Sequence, residues 1–182
     1  MWIADRWNDY EVIDTSNGEK LERWGSYILR RPDPQEIWNT PQDKRWKKLN
    51  GHYHRSAKGG GEWEFFDLPK QWEIGYTLPS GKKLTFNLKP FSFKHTGLFP
   101  EQAANWDWMQ KKIREANRPI SVLNLFAYTG AASLAAKAAG ADVTHLDSVR
   151  QVVTWAKGNM ENSGLDNIRW VVEDALKFAR RE

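Results

Sequence analysis

The sequence predicts an α/β protein in two parts: an antiparallel β-rich module over residues 1–99, then the first half of a parallel α/β domain over residues 100–182. Three observations carry this. Ser121–Asp147 reads as strand, tight turn, helix, strand. Ile168–Val172 brings a third apolar strand after a further helical stretch. The residues before Phe99 fall into short alternating segments separated by turn residues, with no long helical period.

In the first part, Tyr10–Asp14 and Lys20–Trp24 flank Thr-Ser-Asn-Gly, a hairpin signal, and Ser26–Arg31 adds a third strand that stops at Arg-Pro-Asp-Pro. Trp46–Arg55 and Glu62–Leu68 lie on either side of Ser-Ala-Lys-Gly-Gly-Gly, and Gln71–Leu78 and Lys83–Leu88 on either side of Pro-Ser-Gly. This spacing predicts a small antiparallel sheet with barrel-like closure. Lys58–Gly61 lacks the Gly-Lys-Ser/Thr of a phosphate loop and reads as a hairpin tip. His52 and His54 share a strand face, but the pattern offers no third ligand, so they read as surface histidines and no metal is expected. Trp46, Tyr53, Trp63, Phe65, Phe66, Trp72 and Tyr76 lie among Arg45, Lys47, Lys48, Arg55, Lys58 and Lys70. Such interleaving suits base stacking and phosphate contact, and equally a small sheet's core with a solvated face; for most of these rings the core is the better reading.

In the second part, Pro100 and Glu101 suit the first turn of a helix whose apolar positions are Ala103, Trp106, Met109, Ile113 and Ala116. Val122–Phe126 is a nearly unbroken apolar run, the pattern of a parallel strand covered on both faces. Ala127–Gly130 forms the turn, Ala131–Ala139 a helix ended by Gly140, and Asp142–Asp147 a second strand. A right-handed crossover follows, with ligands expected beyond the strands' carboxyl ends, where Tyr128, Thr129, Gly130 and Asp147 lie. Unpaired N–H groups at the helix start favour an anion, and Asp147 is placed for ribose hydroxyls, so the expected ligand is an adenosine compound with an anionic group. The turn has one glycine where dinucleotide binders want three, which disfavours a nicotinamide-dependent oxidoreductase.

The run Val122-Leu-Asn-Leu-Phe-Ala-Tyr-Thr-Gly130 resembles motif I of S-adenosylmethionine-dependent methyltransferases with a Rossmann-like fold, in particular those related to bacterial large-subunit ribosomal RNA methyltransferases. Leu98–Trp106 and Ile168–Ala175 are further matches. The resemblance implies S-adenosylmethionine as cofactor and a site of Gln102, Asn124, Phe126, Ala127, Tyr128, Thr129, Gly130, Asp147, Ser148, Asp174 and Ala175. Within it, Gly97, Phe99 and Gln102 match a Gly-aromatic-x-x-Gln segment, with Gln102 toward the methionine end. Asn124 stands where many relatives carry Asp or Glu. Asp174 matches the acidic residue that accepts from the adenine amino group, and also suits a helix N-cap. The implied activity is methyl transfer, with RNA, ribosomal RNA foremost, as the expected substrate. The reading from a different class is a nucleic-acid-binding β module fused to a non-catalytic nucleotide-binding half-domain.

Composition narrows the classes. With no cysteine, disulfides and thiolate chemistry are excluded within this sequence. No apolar run approaches membrane-spanning length and the start lacks a secretory pattern, so no membrane partner and a cytoplasmic location are expected. A net charge of +4 is compatible with nucleic acid. Nine of the eleven tryptophans precede Ser121.

The sequence stops at Arg180-Arg-Glu182, before the fourth strand and Asp/Asn-Pro-Pro-like motif of the methyltransferases it resembles, so no catalytic residue is named. The three strands are expected in the order third, second, first. That order leaves Val122–Phe126 with an unpartnered edge, a template for self-association.

Overall fold

The computed structural model describes residues 3–91 and 94–181. Part of the Phe91–Trp106 stretch, namely Ser92 and Phe93, lies outside the described residues. The chain forms two compact units. One comprises Trp7–Ile74 with Leu88–Gly97, the other Met1–Arg6, Gly75–Asn87 and Leu98–Glu182. The division is therefore not one cut between 99 and 100: the Gly75–Asn87 hairpin packs with the helical unit.

The first unit is built on a five-stranded sheet in the order β1-β2-β3-β4-β5: Tyr10–Ser16, Glu19–Trp24, Tyr27–Pro32, Gly51–Arg55 and Gly61–Phe65. The β1–β2 turn is Asn17-Gly18, with φ of 55° and 72°, the left-handed pair that a two-residue hairpin needs. Pairing is antiparallel throughout except between β3 and β4, which run parallel. The sheet stays open, with β1 and β5 as its edges, instead of closing into a barrel. The parallel junction needs a long connection, and its route shows why Trp46–Arg55 is not one strand. Lys44–Lys47 is a 3-10 turn capped by Asp43. Asp14 Oδ2 holds the connection by accepting from Gln42 N, Asp43 N and Trp46 Nε1 at 2.7–3.0 Å. Asn50 then pins β4 to β3, since its Oδ1 accepts from Ile28 N at 2.8 Å. Leu21, Trp24, Leu29 and Tyr53 are buried in this unit. Beside them lies a buried ion pair: Arg31 donates to both Glu22 oxygens at 2.6 and 2.8 Å, and Tyr10 donates to Glu22 at 2.7 Å.

The next two strands, β6 (Trp72–Thr77) and β7 (Lys83–Leu88), form a separate hairpin sheet. The aromatic residues thus divide. Tyr53, Trp72 and Tyr76 are core, whereas Phe65 and Phe66 are more than half exposed.

In the second unit, a 3-10 turn at Pro100–Gln102 leads into α1 (Ala103–Glu115), followed by β8 (Ser121–Leu125), α2 (Ala131–Ala138), β9 (Asp142–Asp147), α3 (Arg150–Asn162), β10 (Ile168–Val172) and α4 (Ala175–Arg181). All three strands are parallel, in the order β10-β9-β8. Adjacent side chains of β9 face opposite ways. His145 meets Ser133 of α2, and Leu146 clusters with Phe178 of α4, so both faces of the central strand are covered. β8 departs from the expectation of two covered faces. As a sheet edge it leaves Leu123 and, just beyond it, Phe126 exposed. α1 packs on α2, where Gln110 Nε2 donates to Ala135 O at 3.0 Å. α3 runs unbroken through Gly158.

Candidate functional site

β8 ends at Leu125, and the chain turns sharply into α2. Phe126, Tyr128 and Gly130 all have positive φ, at 55°, 50° and 91°. For the two aromatic residues this costs of order 1–3 kcal/mol each and persists only under tertiary restraint. The restraints are identifiable. Ala127 N donates to Leu146 O at 3.0 Å, Tyr128 N to Asp147 Oδ2 at 3.0 Å, and Asn159 Nδ2 of α3 to Thr129 O at 3.0 Å. Gly130 is required twice over, since a Cβ there would also stand 3.0 Å from the Ala156 Cβ. Its close approach is to α3.

A cavity of about 340 Å³ opens against this turn. It is lined by Phe126–Ala132 and Asn124 on one side, and by Leu98, Phe99, Gln102, Asn105, Trp106, Trp108 and Met109 on the other. The rings of Phe99 and Tyr128 sit 5.4 Å apart. Of the residues expected at the site, Gln102, Asn124, Phe126, Ala127, Tyr128, Thr129 and Gly130 line this cavity. The other four lie at the carboxyl ends of the neighbouring strands: Asp147 ends β9 with exposed Ser148 after it, and Asp174 precedes α4, which Ala175 opens.

The polar groups have definite partners. Asp147 accepts from Tyr128 N through Oδ2 and from Val149 N through Oδ1, each at 3.0 Å, which joins the ends of β8 and β9. Asp174 Oδ1 caps α4 by accepting from Lys177 N at 2.9 Å. Gln102 Oε1 accepts from Asn105 Nδ2 at 2.8 Å. Asn124 points its amide inward, donating to Ser133 Oγ at 2.9 Å. That hydroxyl lies 3.0 Å from His145 Nδ1, within hydrogen-bond distance. Burial pushes the His145 pKa down to about 4, so the ring is neutral.

Sequence reasoning missed Trp108, Asn105 and Asn159. Trp108 lies off the apolar stripe of α1 and is exposed, so periodicity gave no sign of it. Asn159 is fully buried on an otherwise apolar face of α3, and a polar residue in that stripe was the available signal.

The Asp147 carboxylate has about four acceptor positions, two of them used by backbone, which leaves room for hydroxyl donors. The cavity falls at the lower end of volumes typical of small-molecule sites. An adenosine-containing ligand fits these residues.

No family model matches the chain. Its sequence is similar to ribosomal RNA large subunit methyltransferase K/L of Pseudoalteromonas translucida, 32% identical over 124 residues, covering 66% of this chain and 17% of that protein. The enzyme of the same name from Magnetococcus marinus is 37% identical over 132 residues, covering 72% and 16%. The chain thus spans about a sixth of the length of the curated relatives it matches. Its fold is similar to the crystal structure of the SAM-dependent methyltransferase from Agrobacterium tumefaciens, with a TM-score of 0.87 and 40% identity over 97% of this chain and 56% of that one. A putative SAM-dependent methyltransferase from Streptococcus mutans shares the fold at a TM-score of 0.69 and 21% identity, over 97% and 50% of the two chains. In sequence and in fold, this chain is similar to S-adenosylmethionine-dependent methyltransferases, and in sequence to the large-subunit ribosomal RNA enzymes.

Proposed function

We propose that the chain is the cofactor-binding part of an S-adenosylmethionine-dependent methyltransferase acting on RNA, ribosomal RNA foremost. The observation that carries this is the cavity at Phe126–Gly130, set at the carboxyl end of a parallel strand. The chain around it is 40% identical to a SAM-dependent methyltransferase across nearly its whole length. S-adenosylmethionine supplies a methyl group bound to a sulfonium. The residues here hold and orient it: Asp147, with Ser148 beside it, takes the ribose hydroxyls, Asp174 and Ala175 the adenine, the Phe126–Gly130 backbone the amino-acid portion, and Gln102 the methionine end. Asn124, whose amide faces Ser133, supports the turn from behind.

RNA as substrate is supported by the names of the sequence relatives, the net charge of +4 and the exposed Phe65 and Phe66. Processing of ribosomal RNA in the cytoplasm follows from the same reading. Among the described residues no helix is long and apolar enough to cross a membrane. Functionally, residues 1–99 serve as the β-rich RNA-facing module and 100–182 as the first half of the catalytic domain. The exposed edge at β8 is a surface for self-association, which light scattering over a concentration series tests; a monodisperse monomer at every concentration removes it.

Calorimetry with S-adenosylhomocysteine tests the cofactor. Asp147→Ala should weaken binding by about 1–3 kcal/mol, the scale of hydrogen bonds to a charged group. Equal affinity in the variant, or tighter binding of NAD, would remove the assignment. For RNA, retention of single-stranded oligonucleotide by the full chain should fall steeply with salt, and Phe65→Ala with Phe66→Ala should weaken it by about 1–3 kcal/mol per stacked base. Salt-independent retention, unchanged in the double variant, favours a non-RNA substrate.

A further inference from the structure

We propose that His52, His54 and Glu64 form a binding site for a divalent transition metal. β4 places the two histidines two residues apart on one face, and the antiparallel register sets Glu64 of β5 directly opposite His52. The imidazole centroids are 3.8 Å apart, and His54 Nε2 lies 2.8 Å from Glu64 Oε2. One ligand atom from each of the three residues falls within 4.8 Å of the others. Ligands about 2.0–2.2 Å from a tetrahedral ion stand roughly 3.4 Å from one another, so small side-chain rotations close the set. The third ligand comes from the facing strand, which is why the His-x-His pattern alone does not disclose it.

The donor set selects the metal. Two imidazoles and one carboxylate suit zinc, cobalt or nickel, whereas magnesium and calcium prefer all-oxygen shells. The buried member is braced from behind: His52 Nε2 lies 2.9 Å from Glu19 Oε1, and Glu19 is itself held by Arg30. A carboxylate behind a ligating imidazole is the usual outer support, because it fixes the ring's orientation. His54 and Glu64 are about half exposed, so the site is open to an entering ion and to a fourth, solvent ligand. Since β5 is an edge of its sheet, the ion would staple that edge to β4.

The test uses the full chain, freed of metal and titrated with Zn²⁺, Co²⁺ and Mg²⁺. One equivalent of Zn²⁺ should bind by calorimetry and raise the melting temperature, as a ligand of the folded state does. Co²⁺ should develop the visible bands of a four-coordinate ion and shift two imidazole proton signals paramagnetically. Mg²⁺ should do neither. His54→Ala and Glu64→Gln, both at exposed positions, should each weaken Zn²⁺ by at least about tenfold, and Glu19→Gln by about ten- to a hundredfold. Absence of Zn²⁺ and Co²⁺ binding, or binding left unchanged by both His54→Ala and Glu64→Gln, overturns the site. The cobalt spectra of the wild type decide the matter even where a variant folds poorly: fewer than two shifted imidazoles is a negative result.

Discussion

Two buried ionisable residues tie stability to pH in ways that single substitutions separate. Burial pushes the Glu22 carboxyl up, but the charge and hydrogen bonds of Arg31, with Lys20 and Tyr10, hold it below its ordinary 4.5. Its folded pKa lies below its unfolded one, so its stabilisation is complete above about pH 4.5 and is lost as pH falls through the depressed value. Arg31→Leu strands the carboxylate in the core and should cost about 3–5 kcal/mol in urea unfolding at neutral pH. A loss under 1 kcal/mol there would mean that Glu22 finds another partner or water. His145 acts over a higher window. Its folded pKa of about 4 lies below the ordinary 6.5, so the unfolded chain binds the extra proton between those values. Stability should fall by up to about 3 kcal/mol as pH drops from 6.5 toward 4. His145→Asn should flatten that part of the stability–pH curve, and an unchanged slope assigns it to other groups.

Between elements, the telling contact is α3 against β7. Ser163 and Asn159 are four residues apart on the helix, and Thr85 and Asn87 two apart on the strand. Four helical residues rise about 6 Å and two strand residues about 6.6 Å, so the side chains of one match the backbone of the other. Ser163 Oγ accepts from Thr85 N at 2.9 Å, Asn159 Oδ1 from Asn87 N at 2.8 Å, and Trp155 Nε1 donates to Asn87 O at 2.7 Å. The other end of the Asn159 amide holds Thr129 O, so one residue ties β7 to the turn beside the cavity. Asn159→Ala removes the side-chain hydrogen bonds to Asn87 N and Thr129 O, at about 1–3 kcal/mol each. It should lower the urea midpoint and also weaken S-adenosylhomocysteine binding; lost stability with unchanged affinity would show the turn to be held by its other bonds. Gly130→Ala should cost about 1–3 kcal/mol through its positive φ, plus the displacement of Ala156.

At the scale of the molecule, each compact unit is assembled from separated stretches of chain. The Gly75–Asn87 hairpin precedes Leu98 in sequence yet belongs to the helical unit. There Tyr76 and Phe86 meet Trp106 at ring distances of 5.6 Å, and Tyr76 donates to Asp107 at 2.8 Å. A polypeptide ending at residue 99 therefore carries Tyr76, Leu78, Leu84 and Phe86 without the partners that bury them. Such a fragment should bind a hydrophobic dye and aggregate more strongly than the full chain. A soluble, dye-silent 1–99 fragment would show that the hairpin packs equally well without α1 and α3.

The sequence by itself determined the local features. The Asn-Gly hairpin, the Pro-Ser-Gly hairpin, the helices α1 to α4 and the three apolar strands follow from short-range rules of turn chemistry and periodicity, whereas the order of those three strands is what the family resemblance implies. The cluster of Phe126–Gly130 and Asp147 is also local, because a strand–turn–helix–strand unit brings its own loop ends together. Tertiary structure decided what depends on residues distant in sequence. The parallel β3–β4 pair rests on Asn50 reaching Ile28, and no local signal distinguishes that neighbour from another. The far wall of the cavity comes from α1, the clamp on its turn from Asn159, and the third group beside His52 and His54 from the facing strand. Periodicity reports which face of an element is apolar, whereas these contacts depend on which other element that face meets, and chain packing alone selects it.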